Sequence, residues 1–308
     1  MTRRGYVHLD VFADRAFRGN QLAVFTDATG LDGERMQRIA NEMAFPETTF
    51  VLPSESRDAE ARVRIFTPTR ELPIAGHPTV GTTFALAANG VINRGAPCVT
   101  LALGVGPTPV FLEWAEHGLR SAWMRQPIPT FGFVPVHVKK LAAALGLVAG
   151  DILESGLPVQ SGSCGVPFLF VPLATREAVN RARFDRAAFQ AFVAAAEQPE
   201  LPVFVFSVQR GDDDATVFSR MFAPLFGIPE DPATGGASGP LGAYLLQNRV
   251  VTEQEAALMW SLQGVAMGRQ SRIGIAVLTS GGAITDVRVG GSCVTLGAGF
   301  LDVPERLE

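Results

Sequence analysis

The chain repeats part of its own sequence at an offset of 156 residues, as the interval from Arg64 to Arg220 shows. The segment Arg64–Pro68 (RIFTP) returns as residues 220–224 (RMFAP). A glycine turn at Gly76 returns at Gly235, and an apolar helix is predicted after each glycine. Because the offset is close to half of the 308 residues, the repeat predicts two related domains and not a short-period solenoid.

The alignment of the two copies requires an insertion of three residues in the second. Pro73 falls opposite Pro229, so the extra residues are predicted between Pro229 and Gly235. Each copy then runs from a short strand through a proline-bearing loop and a glycine turn into a helix. Since the N-terminus of a helix favours an anion, two such turns can provide two backbone anion sites in one cleft.

Composition and charge argue against several classes of protein. Basic and acidic residues nearly balance at a net charge of −4, which gives no basic surface for nucleic acid. The stretch 72–93 carries no charge unless His77 is protonated, but its proline and glycine residues favour a buried core helix over a membrane span. No apolar signal segment follows Met1. We therefore expect a cytoplasmic protein that binds neither nucleic acid nor membrane.

The cysteines and histidines form no recognisable pattern for a metal or a disulfide. Cys98, Cys164 and Cys293 are odd in number and widely spaced, and no C-x-x-C pair is present. The four histidines also lack the spacing of metal ligands. We expect no metal and no disulfide framework, which fits a reducing compartment.

Strand-like segments outnumber helical ones in both halves. Helices are predicted at residues 32–43, 78–89, 137–145, 185–196, 239–247 and 253–263. Those at 78–89 and 239–247 are apolar enough to be enclosed by sheet. We predict an α+β fold with a pseudo-twofold duplication, in which each domain wraps a curved, mostly antiparallel sheet around a central helix. The predicted domains are 1–128 and 129–308, with 292–302 a candidate strand of the first.

Two ionisable residues of the first half stand where polar side chains are unexpected. Glu47 enters the apolar segment Thr48–Leu52, where desolvation disfavours its charged form and suits it to proton transfer near neutral pH. The alternative is a glutamate at a strand edge that points to water. His77 precedes an apolar helix whose dipole favours a neutral imidazole, able to exchange a proton with a ligand. The alternative is a histidine that caps the turn.

In the second half, Asp231 precedes a turn of small residues. Residues 234–238 (TGGAS) offer successive backbone N–H groups for a carboxylate or phosphate, although such turns also occur without a ligand. The turn is neither a P-loop nor a dinucleotide-binding fingerprint, because both spacings are absent. His77 and this turn occupy matching places in the two copies, so we expect both to face one cleft.

Four separated segments resemble the phenazine-biosynthesis PhzF-like family, which shares the diaminopimelate epimerase fold. They are Phe17–Val24, Pro46–Val51, Arg64–Thr82 and Glu230–Gly235. The resemblance covers nearly the whole chain in the right order. It implies two like domains with the active site between them, a homodimer, no cofactor and a small carboxylated substrate. In the phenazine enzyme the reaction is the isomerisation of a dihydro-hydroxyanthranilate.

The resemblance also implies roles for individual residues. Glu47 matches the catalytic glutamate and would move the proton between carbons. His77 and Asp231 would hold polar groups of the substrate and assist the proton transfer. The implied substrate-binding residues are Asn20, Gly76, Thr234, Gly235, Gly236, Ala237 and Ser238. Epimerases of the wider fold use one cysteine in each of the two loops, and the absence of cysteine there argues against that chemistry.

Three residues depart from the family pattern. Gln21 replaces the usual proline after Gly-Asn, Pro46 replaces a serine before the glutamate, and Gly236 replaces a serine in the second turn. Losing one donor to a charged ligand group costs roughly 1.5–3 kcal/mol of binding, so we expect these changes to alter what the site holds. Two hypotheses stay open beside an isomerase. One is a dehydratase or lyase that begins with the same proton abstraction, and the other is a non-catalytic protein that binds a small anion.

Overall fold

A computed structural model describes residues 1–55, 57–133, 137–224 and 227–305 of the chain. Its strands are β1 (Thr2–Val11), β2 (Asn20–Phe25), β3 (Glu47–Leu52), β4 (Ala61–Phe66), β5 (Glu71–Leu72), β6 (Cys98–Leu103), β7 (Gly106–Ala115), β8 (Gly118–Gln126), β9 (Thr130–Phe133), β10 (Gln160–Ser163), β11 (Pro167–Pro172), β12 (Val203–Ser207), β13 (Val217–Ala223), β14 (Ile228–Asp231), β15 (Met259–Gln263), β16 (Ser271–Ser280), β17 (Ala283–Gly291) and β18 (Cys293–Val303). Its α-helices are α1 (Gly33–Met43), α2 (Gly76–Ala88), α3 (Val138–Ala144), α4 (Ala149–Leu153), α5 (Arg176–Arg181), α6 (Arg186–Ala196), α7 (Gly235–Gln247) and α8 (Glu253–Ala256).

The chain divides into two compact units. Unit 1 comprises Met1–Gln126 and the segment that begins at Arg288, and unit 2 comprises Pro127–Val287. The last strand, β18, lies in unit 1 and pairs antiparallel with β1 over the length of both strands.

The two units share one order of strand pairing. In unit 1, β1–β2 is antiparallel, β2–β3 parallel, β3–β4 and β4–β5 antiparallel, β4–β6 parallel and β6–β7 antiparallel. In unit 2, the pairs β10–β11, β11–β12, β12–β13, β13–β14, β13–β15 and β15–β16 repeat these orientations. Each parallel pair is joined by a crossover that contains helix, as parallel strands require. The predicted duplicated α+β fold is confirmed.

The register of the hairpin before each central helix locates the insertion. Ile65 pairs with Leu72 in unit 1, while Met221, which is 156 residues after Ile65, pairs with Asp231. Leu72 and Asp231 therefore hold the same strand position at an offset of 159 residues. The three extra residues lie before Asp231, within the β13–β14 hairpin.

This register also shows that the predicted pairing of Pro73 with Pro229 is wrong. Gly104 packs so closely on Pro73 that a Cβ on the glycine would lie 2.8 Å from the Pro73 Cα. In unit 2 a Cβ on Gly264 would lie 2.6 Å from the carbonyl oxygen of Pro232. Pro232 is thus the equivalent of Pro73. The sequence alignment failed here because a proline occurs on both sides of the insertion.

The central helices α2 and α7 begin at the aligned glycines and are both 13 residues long. Helix α2 packs against β1, β2, β3, β8 and β18, and α7 packs against β10, β11 and β16. Close approach requires glycine on both helices. A Cβ on Gly81 would lie 2.5 Å from Leu22 Cδ2, and one on Gly242 would lie 2.5 Å from Ile275 Cγ2.

Other helices cover the opposite faces of the sheets. In unit 1, Met36, Ile39 and Ala40 of α1 are buried in a cluster with strand residues of β2 and β3. Asp32 caps this helix as predicted, because its carboxylate accepts the Arg35 N–H at 2.8 Å. In unit 2, α3 and α6 form the corresponding second core.

An arginine–glutamate pair, here called the arginine clamp, links the two strands of the hairpin in each unit. Its arginine is the first residue of the repeated segment, Arg64 in unit 1 and Arg220 in unit 2. The guanidinium of Arg64 donates to both carboxylate oxygens of Glu71 at 2.7 and 2.6 Å. That of Arg220 donates to Glu230 at 2.7 and 2.8 Å. In unit 2 the Nη1 atom also donates to the carbonyl oxygens of residues 179, 180 and 182 at 2.8–3.1 Å. The arginine clamp explains why both copies of the repeated segment begin with arginine.

The prediction of a long helix over residues 253–263 is wrong. Helix α8 ends at Ala256, and β15 begins three residues later. β15 pairs with β13 and with β16, so its backbone hydrogen bonds go to neighbouring strands. The capping box of Thr252 and Glu255 starts one helical turn, but tertiary pairing decides the conformation of the apolar residues that follow.

Across the described residues, no helix reaches the length and apolar character needed to cross a membrane. The uncharged stretch 72–93 contains α2, whose residues are mostly buried in unit 1.

Candidate active site

In unit 1 the structure brings Glu47, His77 and Asn20 together. Glu47 begins β3 and pairs with Leu22 of β2, so Asn20, the first residue of β2, lies two residues before the strand partner of Glu47. The Oε2 atom of Glu47 lies 2.9 Å from Nδ1 of His77, and Nδ2 of Asn20 lies 3.2 Å from the same nitrogen. The His77 side chain is 4% exposed and that of Glu47 12% exposed. A carboxylate and an imidazole thus share a nearly dry site.

The Nδ1 atom of His77 can serve only one of these neighbours at a time. When Nδ1 carries a hydrogen, it donates to the Glu47 carboxylate. When Nδ1 carries a lone pair, it accepts from the Asn20 amide. The group therefore has two hydrogen-bond arrangements that differ by the position of one proton, which is the property a proton-transfer site needs.

His77 lies in the first turn of α2, whereas the sequence predicted it just before the helix; the helix begins two residues earlier than predicted. The predicted start was Pro78, whereas α2 begins at Gly76. Proline tolerates a first-turn position because its missing N–H would lack an intrahelical partner there.

In unit 2 the predicted residues Asp231 and Thr234 are in contact. The Thr234 hydroxyl donates to Asp231 Oδ2 at 2.6 Å, and both side chains are buried. Asp231 ends β14 and Thr234 is the N-cap residue of α7. The carboxylate is thus held beside the start of the central helix.

The small-residue turn offers fewer backbone N–H groups to an anion than the sequence indicated. The N–H groups of Ala237 and Ser238 donate to the carbonyl oxygen of Thr234 at 3.2 Å, and so does the Ser238 hydroxyl at 2.9 Å. These donors are committed to the helix, which contradicts the expectation of successive available N–H groups over 234–238. Ligand binding by Gly235 and Gly236 stays a prediction.

Sequence reasoning missed Gln263, the last residue of β15. Its side chain is fully buried and hydrogen-bonded to both Asp231 and Thr234. The signal that could have found it is a further stretch of the repeat. Leu103-Gly-Val returns as Gln263-Gly-Val at an offset of 160 residues, and this match also predicts a strand at 259–263.

Each unit carries polar side chains where the other has apolar ones or glycine. The strand registers and the aligned helix starts define the equivalent positions. These pairs are Glu47 with Pro202, His77 with Gly236, Leu72 with Asp231, and Leu103 with Gln263. The scaffold is duplicated, and the polar side chains at these four positions are not.

The three cysteines are absent from the loops that carry these groups, and their thiols are poorly ionised. Burial raises the pKa of Cys164 to about 12. Desolvation also raises the pKa of Cys98 and of Cys293. Since the thiolate is the reactive form, none of these cysteines is suited to act as an acid or base near neutral pH.

A metal site needs several ligating side chains close together. Within the described parts of the chain, no three His, Cys, Asp or Glu residues are grouped so as to hold a metal ion.

Comparison with known proteins gives consistent results. A family model described as phenazine biosynthesis-like protein matches residues 9–299. The chain is 37% identical to the trans-2,3-dihydro-3-hydroxyanthranilate isomerase of Pseudomonas aeruginosa over 96% of its length and 97% of that protein. The crystal structure of a Bacillus anthracis phenazine biosynthesis protein of the PhzF family matches with a TM-score of 0.88 and 29% identity, over 98% of this chain and 100% of that one. A hydroxyproline epimerase from Agrobacterium vitis shares the fold at a TM-score of 0.65 and 13% identity, over 97% and 92%.

Proposed function

Because the chain belongs to the phenazine biosynthesis-like family and is an isomerase of that type, we propose that it moves a proton between two carbons of a small carboxylated substrate. The reaction proposed here needs no cofactor. The observation that carries the proposal is the 2.9 Å contact between Glu47 Oε2 and His77 Nδ1 at a nearly dry position.

Glu47 is the proposed acid and base. Its carboxylate takes a proton from a substrate carbon, and the electron pair of the broken C–H bond joins the adjacent π system. The carboxylic acid then returns that proton to a different carbon, so the product is an isomer of the substrate. General acid–base catalysis of this kind contributes about 10²–10⁴ in rate.

The other residues are proposed to hold the substrate and the proton. His77 exchanges a hydrogen bond with Glu47 through its Nδ1 atom as Glu47 gains and loses the proton, and the Asn20 amide is the alternative partner of that atom. Asp231, oriented by the Thr234 hydroxyl, accepts a hydrogen bond from a polar group of the substrate. The first turn of α7 at Gly235 and Gly236 binds the substrate carboxylate, as helix N-termini favour anions.

The experiment that tests this function follows deuterium from solvent into the substrate. The wild-type protein is incubated in deuterated water with trans-2,3-dihydro-3-hydroxyanthranilate, the substrate named for the Pseudomonas relative, and the carbon-bound positions are followed by NMR. Glu47→Gln keeps the shape and a hydrogen bond to His77 but cannot carry the proton. Glu42→Gln is the matched control, because Glu42 is an exposed carboxylate of the same unit.

We expect deuterium incorporation by the wild type and by Glu42→Gln, and a loss of at least about 100-fold in Glu47→Gln. Equal incorporation by Glu47→Gln would remove Glu47 from its role. Loss of water from the substrate would indicate elimination instead of isomerisation. Binding without any exchange would support a non-catalytic anion-binding protein.

A further inference from the structure

The Gln263 side chain joins both ends of the turn that carries Asp231. Its Nε2 atom donates to the backbone oxygen of Asp231 at 2.8 Å and to Oγ1 of Thr234 at 2.9 Å. Its Oε1 atom accepts the Thr234 N–H at 3.0 Å. One fully buried amide thus makes three hydrogen bonds to a segment of four residues.

The same amide fixes the direction of the Thr234 hydroxyl. The Nε2 atom of Gln263 can only donate, so Oγ1 of Thr234 accepts from it and gives its single hydrogen to Asp231. That bond is 2.6 Å long. Oδ2 of Asp231 is therefore kept as an acceptor, and the carboxylate is held in one orientation.

Unit 1 shows that the fold itself does not require this network. The positions equivalent to Gln263, Asp231 and Thr234 are Leu103, Leu72 and Ala75. The strand pairing and the helix start are the same in both units. Because this hydrogen-bond network is found only in the unit that carries the carboxylate, we infer that its role is to position the carboxylate and not to maintain the fold.

We propose that Gln263 is a positioning residue of the active site. It holds Thr234, and Thr234 orients the Asp231 carboxylate for the substrate. The effect on catalysis rests on the function proposed above, whereas the hydrogen bonds can be tested without turnover.

The first experiment measures amide hydrogen exchange of Thr234 by NMR in the full-length protein without substrate. Gln263→Leu introduces the residue that unit 1 has at this position and removes the acceptor of the Thr234 N–H. Ser261→Ala is the matched control, because Ser261 is buried on the same strand and hydrogen-bonds to Ser219 at 3.1 Å. We expect Thr234 exchange to rise about fivefold or more in Gln263→Leu and to stay unchanged in Ser261→Ala.

The second experiment measures kcat and KM for the proton exchange described above. We expect Gln263→Leu to lower kcat by about 10- to 100-fold and to change KM by less than about threefold, because misplaced groups cost rate. A double variant with Asp231→Asn should be no slower than Asp231→Asn alone, since residues that act through one another are non-additive. Thr234→Ser, which keeps the hydroxyl, should have a higher kcat than Thr234→Val, which removes it.

If Gln263→Leu does not fold, the comparison of kcat between Thr234→Ser and Thr234→Val tests the proposal in its place. Unchanged Thr234 exchange in a folded Gln263→Leu protein would overturn the proposal, as would additive effects with Asp231→Asn or equal rates for Thr234→Ser and Thr234→Val. If the wild type does not turn over the probe, the proposed function fails, and Thr234 amide exchange still decides whether Gln263 holds the turn.

Discussion

Asp231 in unit 2 occupies the strand position that Leu72 occupies in unit 1. Each residue pairs with the equivalent member of the preceding strand, Met221 or Ile65. The hairpin backbone therefore accepts either a leucine or a buried carboxylate, and the carboxylate is accompanied by the hydroxyl of Thr234. Function and stability can be separated at this position because the protein itself contains both versions.

We predict that Asp231→Leu folds but loses activity. The leucine fits the backbone, as unit 1 shows, and its main cost is the Thr234 hydroxyl, which loses its carboxylate acceptor. The free energy of unfolding should fall by at most about 3 kcal/mol, while deuterium incorporation should fall by about 100-fold or more. Urea titrations and the NMR exchange assay check both parts. Retained incorporation would show that the carboxylate does not act on the substrate.

The two arginine clamps should differ in their contribution to stability. Arg220 and Glu230 have side chains that are 6% and 18% exposed, whereas those of Arg64 and Glu71 are 23% and 42% exposed. Removing one charge from a buried pair leaves the other uncompensated. We predict that Glu230→Gln lowers the free energy of unfolding by roughly 3 kcal/mol, and that Glu71→Gln lowers it by at most about 1 kcal/mol.

These two variants are controls for each other, because they make the same chemical change at equivalent positions of one duplicated hairpin. Urea titrations at one pH give both free energies. Equal losses in the two variants would show that burial of the clamp does not set its contribution.

Much of the fold could be predicted because the repeated segment belongs to strands and helices that both units contain. The strand that begins at Ala61, the central helix and its glycine turn return in unit 2 with the same lengths or nearly so. Glu47 and His77 could be singled out because an ionisable residue beside an apolar segment is unusual. Their contact depends on the packing of α2 against β3, which no local pattern indicates.

The errors arose where local signals competed with tertiary pairing. The capping box at Thr252 indicates a helix, and the residues after Ala256 are apolar enough to continue one, but strand pairing on both sides makes them β15. This misassignment also hid Gln263, since the last residue of a helix gives no reason to expect a partner at Asp231. Extending the repeat to Leu103-Gly104 would have corrected both.

The cysteines should be dispensable for activity. Burial raises the pKa of Cys164 to about 12, which leaves only about one thiolate in ten thousand at pH 8. We predict that iodoacetamide modifies the native protein far more slowly than the urea-unfolded protein. A variant with Cys98→Ser, Cys164→Ala and Cys293→Ser should keep the proton exchange rate within about threefold if it folds. A loss of proton exchange in the folded triple variant would show that the cysteines are not dispensable.

Gly236 is the position at which substrate preference should be easiest to change. A Cβ there would lie 3.6 Å from the ring of Phe168, an ordinary contact distance, so a serine can be accommodated in the first turn of α7. A serine hydroxyl at the helix start adds a donor for the substrate carboxylate, and one donor to a charged group is equivalent to about 10- to 100-fold in binding. We predict that Gly236→Ser lowers KM for trans-2,3-dihydro-3-hydroxyanthranilate by that factor, with a smaller change in kcat.

Gly242→Ser is the contrast for this change in the same helix. A Cβ at Gly242 would lie 2.5 Å from Ile275 Cγ2, so the serine must displace packed strand residues and should destabilise unit 2 by about 1–3 kcal/mol. Gly236→Ser should leave the free energy of unfolding within about 1 kcal/mol of the wild type. Kinetics and urea titrations of both variants separate a ligand contact from a packing effect. An unchanged KM in a stable Gly236→Ser protein would show that this turn of α7 does not bind the carboxylate.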